Sequence, residues 1–146
     1  MSPAEFFLFE RLHGHLAVLG LAVLAHPILS LGRPGLSRGT RLSALIAAAL
    51  LSLSFASGLW IYPPYRALVK PELVREALPL ALRFESKEHL AAICLALALG
   101  GVGVLLSAGR HPTGRRAARV LFLLSFLVGL LTGALGVFVA AGGQAL

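Results

Sequence analysis

Four apolar runs organise the chain, and short polar stretches rich in Gly, Pro and Arg separate them. The runs lie at about residues 4–31, 41–62, 87–107 and 117–141. Each approaches the roughly 20 residues that an α-helix needs to cross about 30 Å of hydrocarbon. A helix satisfies its own backbone hydrogen bonds, as lipid demands. The alternation expected of a barrel strand is missing. The pattern predicts an all-α fold: an integral membrane four-helix transmembrane bundle, up-down-up-down, forming one domain over residues 1–146. SLGRPGLSRGTR and AGRHPTGRR read as turns between helices one and two and between helices three and four. PPYRALVKPELVREALPLALRF, between helices two and three, reads as an amphipathic segment on the membrane surface. It covers about residues 66–84, is opened by Pro71 and is disturbed by Pro79.

Composition strengthens this reading. Of 146 residues, 58% are hydrophobic, and the mean hydropathy is +0.87. A water-soluble domain of this size has too much surface for such a composition. Thirteen Lys and Arg against six acids give a formal charge of +7. A basic balance can signal nucleic acid, but here the charges sit between apolar runs, so no nucleic-acid partner is expected. Arg33, Arg38 and Arg41 mark the first turn; Arg110, Arg115, Arg116 and Arg119 mark the last, and neither contains an acid. The positive-inside rule then predicts a multi-pass protein of the cytoplasmic (inner) membrane with both termini outside. Glu5 and Glu10 precede the first long apolar run, unlike the basic start of a signal peptide, so this segment is expected to be retained. Cys94 is the single cysteine, which rules out an intramolecular disulfide.

Candidate chemistry gathers at the end away from the Arg turns. His13 and His15 precede the continuous apolar stretch of helix one, and His89 precedes that of helix three. Helix two brings Trp60, Tyr62, Tyr65 and Arg66 to the same end. His13 and His15 are separated by about 200° around a helix, so they face opposite ways. His15 and His26 return to within about 20° of one another. A histidine as deep as His26 is expected to face the bundle interior, which predicts that His15 faces inward too. On helix three, His89 heads a stripe of small residues through Ala92, Ala96, Gly100 and Gly103. Such a groove leaves room for a flat guest such as haem, held by His15 and His89 as axial ligands. Glu85, one turn before His89, is placed to accept its free ring N–H. Tyr62, Tyr65 and Arg66 would line the mouth.

This layout resembles the small four-helix membrane cytochromes of the b type, in which histidines of a helix bundle hold haem. The resemblance implies haem b and electron transfer, with one outer haem, because helix three offers only His89. A second reading uses Glu10-Arg-Leu-His13, a Glu-x-x-His spacing, with Glu88, His89 or His26 to bind copper, iron or zinc. A third gives these residues structural work. Glu85 and Glu88 suit the negative start of helix three, Trp60, Tyr62 and Tyr65 an aromatic belt, and His26 a carbonyl freed by Pro27. The protein would then be a non-catalytic accessory or assembly subunit, as a homo-oligomer or in a larger membrane complex. There is no nucleophile–base pair, phosphate-binding Gly loop or nucleotide motif, so catalysis is not expected.

Overall fold

The computed structural model describes residues 3–68 and 70–143. The outermost residues of the expected domain, and Val69 of the expected surface segment, lie outside the described residues. Five helices follow in order: α1 (Pro3–Ser30), α2 (Arg38–Leu68), α3 (Lys70–Glu76), α4 (Leu78–Ala108) and α5 (Pro112–Gly143). There is no strand among the described residues. Four stretches are long and apolar enough to cross a membrane: Leu8–Ser30, Arg38–Ala67, Leu78–Ala108 and Pro112–Val139, with mean hydropathy from 1.6 to 2.4.

α2, α4 and α5 exceed their expected bounds, most of all at the joint between α2 and α4. The expected surface segment resolves into the last turns of α2, the short α3 and the first turns of α4. Pro63 and Pro64 lie inside α2 instead of ending it. Each proline lacks an N–H, so the helical bonds to the carbonyls of Leu59 and Trp60 cannot form. Packing holds the turn beyond them: Tyr65 stacks on Phe84 of α4 at 3.9 Å between ring centroids and shares an apolar cluster with Ala81. The helical path breaks at Ala77, between α3 and α4, just before Pro79; Pro79 itself falls in the first turn of α4, where an N–H has no partner to lose. With α4 starting at Leu78, Glu85 and Glu88 lie past its first turn, beyond the reach of the N-terminal dipole.

Two helical hairpins make up the fold. α1 packs along α2 and α4 along α5, while α1–α5 and α2–α4 touch less. Ser37 starts α2 as its N-cap, its hydroxyl accepting the Thr40 N–H at 3.0 Å. Gly35 sits in the preceding turn at φ 85°, a left-handed backbone that glycine adopts freely. Polar side chains tie α1 to α2 in succession. The His13 ring donates from Nδ1 to the Ser54 carbonyl at 2.8 Å, and the Ser54 hydroxyl donates back to the His13 carbonyl at 3.0 Å. Further along, Thr40 donates to Ser30 at 3.1 Å.

The α4–α5 seam uses small residues and a reciprocal bond. The Ser125 hydroxyl donates to the Cys94 carbonyl at 2.8 Å, and the Cys94 thiol donates to the Ser125 carbonyl at 3.3 Å. At Gly101 a Cβ would lie 2.5 Å from Cε1 of the fully buried Phe122, so only glycine admits that ring. Between hairpins, Arg119 of α5 donates from Nε to the Ile28 carbonyl at 2.9 Å. That carbonyl belongs to the last turn of α1, where helical N–H partners run out and a cation is favoured.

Candidate functional site

The looser packing between the hairpins leaves a cavity of about 740 Å³ at the end opposite the Arg turns, walled by all four long helices. This lies within the size range of small-molecule sites. Its deep part is apolar and includes Leu21, Leu51, Leu95 and Phe126. Polar groups concentrate toward one end: Glu10 and His13 from α1, Tyr62 and Tyr65 from α2, Lys87 and Glu88 from α4. The wall is open along the α1–α5 seam. There Val18 is 69% and Val137 73% exposed, and a Cβ added at Gly14 or Gly133 would meet nothing within 4 Å.

Histidine orientation is the main correction to the expectation from spacing. His13, not His15, lines the cavity. His15 is exposed, and its Nδ1 donates to the Arg11 carbonyl at 2.7 Å. The inward assignment of His15 rested on an inward His26. His26 instead stays exposed and bonds the Ser43 hydroxyl of α2 through Nδ1 at 2.7 Å. A deep histidine can thus be satisfied at the edge of a helix pair without entering the core, and the angular argument was anchored on the wrong face. The bond is also to a hydroxyl, not to a carbonyl freed by Pro27.

His89 is likewise exposed and outside the cavity, on a shallow surface dent with Leu82, Glu85, Ser86 and Leu90. Its Nδ1 donates to the backbone carbonyl of Glu85 at 2.8 Å. The Glu85 carboxylate pairs instead with Lys70 of α3. Arg66 is exposed and does not line the cavity. The cavity therefore unites Tyr62 and Tyr65 with Glu10, His13 and Glu88, and it leaves out His15, His89, Glu85, Arg66 and His26. If the cavity holds a ligand, replacing His13 with Ala is expected to weaken its retention about tenfold. The same change at His15 or His89 is expected to leave it unaltered; extraction of bound molecules from the purified variants checks both.

Two atoms define what the polar end can do. A backbone carbonyl only accepts, so the bond to Ser54 fixes the proton of the neutral His13 ring on Nδ1 and leaves Nε2 as an acceptor. Tyr65 is only 8% exposed, and its hydroxyl is buried with no hydrogen-bond partner. A buried hydroxyl without a partner costs about 1–3 kcal/mol. The sequence reading missed Ser54 and Lys87. Ser54 and Ser57 recur three residues apart, which on a helix marks one polar stripe. Both hydroxyls approach the His13 ring, each at 3.4 Å from Nδ1.

The donor set also tests the cofactors that the layout suggested. A bis-histidine haem needs two imidazoles on one cavity, and this cavity has His13 alone. No group of three or more His, Cys, Asp or Glu gathers closely enough to hold a metal ion among the described residues. Neither the haem pair nor the Glu-x-x-His metal site fits these residues as placed. Comparison of the chain with protein-family models, with characterised proteins and with solved structures gave no match.

Proposed function

We propose that this is a multi-pass membrane protein whose seam cavity takes up an amphipathic molecule from the surrounding bilayer. In this reading the four long helices cross the cytoplasmic membrane up-down-up-down, with the Arg turns inside and both termini outside. Exposed apolar side chains on every long helix, among them Val18, Leu53, Trp60, Leu99 and Val137, support lipid as the solvent. The apolar depth of the cavity suits a hydrocarbon body, and its opening between α1 and α5 suits entry sideways from lipid.

The observation that carries the reading is the Tyr65 hydroxyl. It belongs to a residue of the cavity wall and is buried without a partner; a ligand head group that displaces the side chains covering it would supply one. Protein purified in mild detergent is then expected to carry about one equivalent of an extractable amphiphile, as a single cavity of this size implies. Tyr65→Phe should retain about fivefold less of it, since one hydrogen bond contributes about 1 kcal/mol. Stripped of ligand, the same variant should be more stable than the parent by about 1 kcal/mol, because the unpartnered hydroxyl is gone. Mass spectrometry of the extract and thermal unfolding read the two effects. An empty extract, with Tyr65→Phe indistinguishable from the parent, would overturn the reading. A Soret band in the absorption spectrum would replace the amphiphile with haem on His13 Nε2.

A further inference from the structure

The geometry points to a lipophilic amine, protonated and cationic, as the ligand class of the seam cavity. This inference rests on the proposed ligand-binding role of the cavity. Its polar end offers acceptors. Where the His13 ring is neutral, Nε2 accepts, because Nδ1 donates to the Ser54 carbonyl. The Glu10 and Glu88 carboxylates at the same end only accept. An ammonium head carries donors only, and so matches this set.

Charge and aromatic content point the same way. The charged residues lining the cavity are Glu10, Glu88 and Lys87. Lys87 lies 3.5 Å from Glu88, which leaves the Glu10 charge uncompensated among them. A carboxylate head would add to this negative excess, and a cation would cancel it. Phe6 and Tyr62 belong to the wall at the same end, and aromatic rings attract a cation through their negative face. Lys87 itself sits 4.4 Å from the centroid of the Phe84 ring, so a cation is already accommodated against an aromatic wall here.

A matched series tests head-group charge at constant chain length: dodecylammonium, dodecanol and dodecanoate, titrated near neutral pH against the full chain in nanodiscs of uncharged lipid. Empty nanodiscs give the background from adsorption to lipid. The ammonium should bind about tenfold more tightly than the alcohol, and the carboxylate most weakly. Glu10→Gln should bring the ammonium-to-alcohol preference down to about one; Glu88→Gln provides the second variant. Glu10 is exposed, so its amide variant keeps the fold. Equal binding of ammonium and alcohol, tightest binding of the carboxylate, or an ammonium preference that survives both variants would overturn the assignment. In the first two of these outcomes the cavity still binds an amphiphile and the broader reading stands. Binding of none of the three above background would overturn both.

Discussion

Gly133→Trp is expected to abolish retention of amphiphile while leaving the fold intact. Gly133 lines the open side of the cavity, and a Cβ there would meet nothing within 4 Å. An indole therefore enters empty space, displaces the ligand and closes the gap between α1 and α5. The loss in affinity should be at least about tenfold, or roughly 1.4 kcal/mol. Unfolding temperature should hold or rise, because the ring buries apolar area against Val18 and Leu21 where there was none. Ligand extraction and thermal unfolding on one preparation separate the two effects. Normal retention of ligand would mean that the bound molecule sits elsewhere.

Gly101→Val is expected to damage the α4–α5 seam. The added Cβ would stand 2.5 Å from Phe122 Cε1 and 2.7 Å from Cδ1. Phe122 is fully buried and cannot swing away. Overpacking of this kind costs about 1–3 kcal/mol even where neighbours relax, and the branched side chain puts the result at or above the upper end. Gly103, two positions on, faces open space. Its Ala variant should be neutral or gain up to about 1 kcal/mol from helix propensity. Thermal unfolding of the pair in detergent is the measurement, and equal behaviour would contradict the interlocked seam.

The four long helices were legible because a 20-residue apolar run has few alternatives. Their ends were not. Pro63 and Pro64 signal a stop by local chemistry, yet Tyr65 stacking on Phe84 keeps α2 helical past them. Charge at Glu85, Lys87 and Glu88 suggested the edge of a helix, but α4 begins at Leu78, well before that cluster. That Tyr62 and Tyr65 come to the end of the bundle where the cavity lies was visible from where α2 must arrive. The histidine half was reversed, because periodicity gives relative directions and needs one residue of known facing to become absolute. The helix pair supplied that reference through Ser54 and Ser43, whose bonds to His13 and His26 no single helix reveals.

The division into hairpins also fixes an order of assembly. Each hairpin closes over a short turn, residues 31–37 or 109–111, between helices that are neighbours in sequence. Closing such loops costs little chain entropy, so the expected order is both hairpins first and their docking last. The cavity comes into being only at that final step, since its walls belong to both halves. A molecule that binds there stabilises the docked state by RT ln(1 + [L]/Kd) and leaves the separate hairpins untouched. Under the proposed binding role, completion of the fold is coupled to ligand supply.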